Sequence, residues 1–221
     1  MNAQLDPVKP VLYSFRRCPY AMRSRLALKH SGIQVELREV DLKAIPDALR
    51  VLVPDNPTVP VLLLPDGRVI DESWDVLLWA VREHDPDGWL GTDECNLVPA
   101  EQWIEMNDFS FKTDLDHYKY HERYPEQTQL EYRAEAEECI QDLEDQLQAT
   151  RFLLGDSLSI ADIGVLPFVR QFALVDKGWF DQAPYPKVQA WLADFLESDL
   201  FNSVMEKYAV WNAGDEPAVF G

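Results

Sequence analysis

The residue whose type and setting most clearly suit chemistry is Cys18, in the run Arg16-Arg17-Cys18-Pro19-Tyr20-Ala21-Met22-Arg23. It stands where a short apolar segment (residues 11–15, VLYSF) hands over to a helical one opened by Pro19, a favoured first-turn residue. A thiol at that N-cap position faces unpaired backbone N–H groups and the positive end of the helix dipole. Arg16, Arg17 and Arg23 add positive charge nearby, so the expected thiol pKa lies below the free value of about 8.5. The bland alternative is a packed, inert cysteine that happens to precede a proline. Position 21 is alanine, so no resolving thiol follows at the usual spacing, and redox chemistry here would recruit an external thiol.

Three further patterns accompany it. In Thr58-Val59-Pro60-Val61 a proline opens an apolar strand, where it cannot donate to a ladder and belongs at a special junction. A cis Val59–Pro60 bond would turn the Val59 backbone groups toward an extended peptide, but base rates by themselves favour trans. Asp71-Glu72-Ser73 opens a helix, where a hydroxyl at the N-terminus suits a carboxylate and a neighbouring acid suits an ammonium group. Read alone, it is better explained as a plain cap. Ser159-Ile160-Ala161-Asp162 has the spacing of a capping box ahead of an apolar helix, a structural role.

The elements that must position these residues follow from periodicity. Residues 1–85 read β-α-β-α-β-β-α: strands at 11–15, 35–40, 61–64 and 68–70, and helices at 20–31, 45–51 and 72–84, with Gly32 closing the first helix in a left-handed conformation. Residues 86–97 are turn-rich and read as a linker. Residues 98–221 show only helical periodicity. Ala100, Ile104, Phe111, Leu115 and Tyr118 fall on one stripe, and Tyr132, Ala136, Cys139, Leu143 and Leu147 on another; 160–174 is mostly apolar and expected to be buried on most sides, and 188–196 and 201–208 supply shorter helices.

Composition narrows the function classes. Of a net charge of −19, residues 1–85 carry almost none (11 Lys/Arg against 12 Asp/Glu), whereas 86–221 hold 9 against 27. So acidic a surface repels phosphate backbones, which argues against nucleic acid and anionic membranes as partners. No apolar run is long enough to span a bilayer and no leader pattern opens the chain, so a cytoplasmic protein is expected. The three cysteines, Cys18, Cys95 and Cys139, make no disulfide framework and fit a reducing compartment. His117 and His121 could share a helix face and ligate a metal, but a solvated or pocket-lining pair is the better reading, and no metal site is expected.

Taken together, CPYAMR after a strand, VPVL, the DES before Trp74, and SIAD resemble the glutathione S-transferase superfamily over nearly the whole chain. The resemblance implies a thioredoxin-like α/β N-terminal domain, a cis Pro60 and an all-α C-terminal domain. It also implies glutathione as cosubstrate, with the Val59 backbone and Pro60 at its cysteinyl part and Glu72 and Ser73 at its γ-glutamyl end. Cys18 at the sulfur is similar to the cysteine-type classes, omega and glutaredoxin-2-like, in their bacterial members. Those run thiol transfer, dehydroascorbate-type reduction or deglutathionylation. Glutathione conjugation or lyase chemistry on an aromatic electrophile, and a non-catalytic binding or regulatory protein on the same fold, are the alternatives.

Implied partners are glutathione and a small electrophilic or disulfide substrate, with a homodimer as the family's usual assembly. Tyr20 and, from the helical part, Trp103, Met106, His117 and Tyr118 are candidates for the second-substrate pocket, with Ser110, Tyr120 and Tyr124 beside them. Two positions depart from the cysteine-type pattern: Ile45 stands where a lysine often precedes the proline, with Lys43 nearby, and Thr58 lacks a basic side chain.

Overall fold

The computed structural model of the protein describes residues 9–221. Two compact units emerge, one made of the chain up to Pro86 together with Asn202–Gly221, the other of Asp87–Phe201.

The first unit follows the expected alternation closely: β1 (Val11–Ser14), α1 (Pro19–His30), β2 (Val35–Glu39), α2 (Asp47–Leu52), β3 (Val61–Leu63), β4 (Val69–Ile70) and α3 (Ser73–Glu83). Strand β1 pairs in parallel with β2, as a strand–helix–strand crossover demands, and antiparallel with β3, which in turn pairs with β4. Helix α1 closes at Ser31, after which Gly32 takes φ +63°, the conformation a Cβ would resist. Ala21, Leu49, Val59 and Val61 pack with Tyr13 and Val40 into a core, and Cys18 and Ile45 lie partly buried against it.

The sheet has a fifth strand, β5 (Ala218–Phe220), and the order is β4-β3-β1-β2-β5. The sequence pattern had assigned all of 98–221 to helices; residues 202–221 belong instead with the sheet. Val35–Leu37 of β2 pair antiparallel with Ala218–Phe220. The tail is held by side chains as well: Phe220 is buried, the Arg25 guanidinium lies 5.6 Å from its ring centroid, and the Lys29 ammonium donates to a Gly221 oxygen at 2.9 Å. The Arg38 guanidinium packs over the rings of both Tyr13 and Trp211, and the Trp211 backbone N–H donates to the Glu39 carbonyl at 2.8 Å. These contacts explain why the helix expected over 201–208 stops early. After Met205, whose N–H still bonds back to the Asn202 carbonyl, the chain leaves the helix; Val210 bridges to Glu39 at the end of β2, and a turn at 213–214 leads on to β5.

The second unit is helical: α4 (Leu97–Glu105), α5 (Lys112–Lys119), α6 (Gln129–Ala149), α7 (Ile160–Ala173), α8 (Lys177–Phe180), α9 (Pro186–Glu197) and the start of α10 (Asp199–Val204). Between α4 and α5 the chain stays helical but widens into a π turn over Met106–Phe111. Both predicted stripes are buried. The turn-rich stretch before α4 is anchored rather than loose: Trp89 is buried and its carbonyl accepts from Ile160 N–H at 3.2 Å and from the Asn96 side chain at 3.0 Å. At the head of α7 the buried Asp162 carboxylate receives four donors: the Leu153 and Ser159 N–H groups, the Ser159 hydroxyl and the Trp191 indole N–H, at 2.6–3.1 Å. Burial pushes the Asp162 carboxyl up, and those four hydrogen bonds pull against it. Among the described residues no helix is long and apolar enough to cross a membrane.

Candidate active site

Cys18 caps the N-terminus of α1 in extended backbone conformation, with Pro19 in the first turn and no acidic residue there. Its backbone N–H is tied to the Phe15 carbonyl at 2.9 Å, and its own carbonyl starts the helix by accepting from Met22. The thiol is half-buried and lies 3.8 Å from the Val59 carbonyl oxygen. The Val59–Pro60 bond is cis. The first two motifs, forty-one residues apart, are therefore one locus.

The third motif is joined to the first by Arg23, expected from sequence as a charge beside the thiol. It is fully buried, donates from Nη1 to the Ser73 hydroxyl at 3.0 Å, and has its guanidinium 5.7 Å from the Tyr20 ring centroid. Ser73 is the first residue of α3 and is buried, while Glu72 at the N-cap is exposed. The helix N-terminus, a hydroxyl polarised by a guanidinium and an exposed acid are thus present together, a set suited to a zwitterionic amino-acid end. Helical periodicity placed Arg23 one turn into α1. Its partner fifty residues away had no local signal.

The other arginines differ in use. Arg16 donates its backbone N–H to Glu39 at 2.8 Å and its Nη1 to the Met205 carbonyl at 3.1 Å, so it is an anchor for the tail. Arg17 is exposed with its guanidinium over Phe15. Arg25, which sequence reasoning passed over, is buried in an ion pair with Glu39 and donates to the Ser14 hydroxyl at 2.8 Å and to the Val204 carbonyl at 3.2 Å. Ile45 belongs to the apolar cluster around Val59 and Cys18, while Lys43 is exposed. A cleft of about 280 Å³ opens one residue before Cys18, lined by Phe15, Arg16, Arg17, Asp41, Lys207 and Tyr208.

The remaining thiols are chemically distinct. Cys95 is exposed, and Cys139 is buried on α6 with its thiol pushed up to about 11 by burial, then by Asp114, Asp142 and Glu138. Of the residues proposed from sequence for a second-substrate pocket, Trp103 and Met106 are half-buried on α4 and at the π turn. Tyr118 is in the core of the helical unit, 5.5 Å from Phe172. His117 is stacked near Tyr124 and Tyr132, with ring centroids 4.3 and 5.1 Å away. His117 and His121 do not share a helix face, because α5 ends at Lys119 and His121 opens a separate short turn.

Family models decide the identity of this arrangement: residues 17–83 match the glutathione S-transferase N-terminal domain and residues 95–194 its C-terminal domain. The chain belongs to the glutathione S-transferase superfamily. A glutathione S-transferase of Emericella nidulans, AN1595, is 25% identical over 203 residues, spanning 89% of this chain and 75% of that one. Glutathione S-transferase omega-1 of Rattus norvegicus is 29% identical over 201 residues, 87% of this chain and 78% of that one. A glutathione transferase family member from Pseudomonas fluorescens, solved with two glutathione molecules bound, shares the fold at a TM-score of 0.77 and 19% identity, over 93% of this chain and 95% of its own. The mixed five-stranded sheet with flanking helices, followed by a helical unit, is the glutathione transferase architecture. Within the sheet unit Cys18 contacts Val59, and Ser73 opens α3.

Proposed function

We propose that this glutathione transferase is a glutathione-dependent thiol transferase and reductase that works through one cysteine. The observation that carries the reading is the Cys18 sulfur at the N-terminus of α1, 3.8 Å from the Val59 carbonyl beside Pro60. Glutathione would lie extended along Val59, its backbone pairing there, with its γ-glutamyl end at Ser73, Arg23 and Glu72. That places the glutathione sulfur toward Cys18.

With a substrate carried as a mixed disulfide with glutathione, the Cys18 thiolate attacks the glutathionyl sulfur. The substrate leaves as a thiolate, which takes a proton from solvent, and Cys18 becomes glutathionylated. A second glutathione thiolate attacks that disulfide, forming glutathione disulfide and regenerating the Cys18 thiolate. The helix N-terminus favours the anion at both stages. Alanine at position 21 leaves no local thiol to intercept the intermediate, which is why an external thiol must finish the cycle. Ile45 contributes apolar packing where a lysine would contact a carboxylate, so the glycine end of glutathione gains less here.

The test is mass spectrometry after exposure to glutathione disulfide. The reading expects an adduct of about 305 Da on Cys18, removed by free glutathione and absent in Cys18→Ser. Absence of the adduct in the unaltered protein refutes it. A second reading, conjugation of glutathione to an aromatic electrophile, is supported by the names of the relatives, which are mostly glutathione S-transferases. Turnover of a chloronitrobenzene that survives Cys18→Ser would favour it over thiol transfer. The open cleft beside Phe15 and Tyr208, and Trp103 and Met106 on the helical unit, are the surfaces where either substrate would be sought.

A further inference from the structure

In the helical unit Asp114 and His117 stand one turn apart on α5, and Glu135 faces them from α6. One ligand atom from each lies within 4.8 Å of the other two, and all three side chains are half-buried. We propose that these residues form a binding site for a divalent transition-metal ion such as zinc, with one imidazole nitrogen and two carboxylate oxygens as ligands and water completing the shell.

Three observations beyond proximity support the site. The first is an uncompensated carboxylate pair: neither Asp114 nor Glu135 has a lysine or arginine partner among the described residues, and Glu135 accepts only the Gln127 amide at 2.8 Å. The cations nearest in sequence are committed elsewhere, Lys112 to Asp116 and Arg133 to Glu137. Half-buried carboxylates brought together without a cation repel each other, and a bound dication removes that penalty.

The second is the histidine. Neither nitrogen of the His117 ring has a hydrogen-bond partner among the described residues, yet the ring is held in place by Tyr124 and Tyr132. Tyr132 is itself fixed, its hydroxyl donating to the Tyr124 carbonyl at 3.0 Å. A ring so locked, with its nitrogens unused, is oriented in advance for a ligand.

The third is the donor set. Donors around a tetrahedral zinc ion stand about 3.4 Å apart, given metal–ligand bonds near 2.1 Å. With the ring clamped, the Asp114 and Glu135 carboxylates, the latter on an arm one methylene longer, can close that difference by rotamer adjustment. Mixed nitrogen and oxygen donors suit zinc and its neighbours, whereas magnesium and calcium prefer all-oxygen shells. Joining α5 to α6, the ion would act as a cross-link within the unit.

The experiment uses the full chain carrying Cys18→Ser and Cys95→Ser, so that exposed thiols do not bind the probe. Titration with zinc chloride should show saturable binding of one ion per chain, with magnesium chloride giving none. The melting temperature should rise with zinc and fall back on adding a chelator. His117→Gln and Glu135→Gln should each weaken zinc binding at least about tenfold while circular dichroism shows unchanged helix content. Asp116→Asn, which touches only the Lys112 pair, should leave the affinity within about twofold. Absence of one-to-one binding, or binding unchanged in both His117→Gln and Glu135→Gln, overturns the proposal.

Discussion

The guanidinium of Arg23 donates to the hydroxyl of Ser73 at 3.0 Å, with both side chains buried. That contact ties the first turns of α1 to the N-terminus of α3 and leaves the Ser73 hydroxyl's own proton to donate outward. It predicts that Arg23→Met, which keeps much of the volume, raises the dissociation constant for glutathione about tenfold, the scale of a lost charged hydrogen bond. Titration calorimetry with glutathione checks this, and unchanged affinity would reduce Arg23 to packing.

Cys18→Ser should lower thiol-transfer turnover to the rate without enzyme while glutathione binding stays within about threefold, because the Val59 and Ser73 contacts do not involve the sulfur. Parallel kinetics and calorimetry on the variant separate the two effects. Loss of both together would mean that the thiol holds the site's shape rather than doing its chemistry.

The three thiols should label unequally. At pH 8 a small alkylating reagent should modify Cys18 and the exposed Cys95 in the native protein and spare Cys139, which burial pushes from its ordinary value near 9 up to about 11. Because the folded value is raised, the stability that the neutral Cys139 thiol contributes is whole below about pH 9 and is lost as pH rises toward 11. Mass spectrometry of labelled peptides from pH 7 to 10.5 checks the order, with Cys139 labelling only late in that range.

Asp162→Ala should destabilise the helical unit by about 3–5 kcal/mol, since it strands the N–H groups of Leu153, Ser159 and Trp191 in a buried site. For a chain of this size that is a fall of roughly 6–20 °C in melting temperature. Differential scanning calorimetry measures it, and a fall under about 2 °C would show that water reaches these donors.

Phe220→Ala should cost about 3–5 kcal/mol, felt in the sheet unit, because the ring is buried beside Arg25 and Lys29 and anchors β5. Hydrogen exchange should quicken at Val35–Glu39, the strand that β5 covers. Exchange unchanged there would mean that backbone pairing alone holds the tail.

Much of the fold could be read from local pattern. The alternation at 35–40, the apolar run at 61–64, Gly32 after the first helix and the two helical stripes each reflect contacts within a few residues, and such contacts leave a period in the chain. The position of Cys18 at a strand–helix junction was legible for the same reason, as was the capping pair Ser159 and Asp162, three residues apart. The fifth strand was not. Three residues, Ala-Val-Phe, carry no period, and their pairing with β2 closes a loop of more than 180 residues.

The sequence by itself determined the units of this protein: a thiol at a helix cap, a Val-Pro junction, a helix opened by Glu72 and Ser73, and amphipathic helices after residue 97. These are set by steric and hydrogen-bonding preferences acting between neighbours. Only the tertiary structure decided which units meet. It brought the Cys18 sulfur to the Val59 carbonyl, joined Arg23 to Ser73, sent Arg25 and Glu39 to hold the tail, and set α5 against α6 in the register that gathers Asp114, His117 and Glu135. Each of those pairings depends on how buried faces pack across long loops, and side chains that meet only after packing leave no mark on the spacing of the residues that carry them.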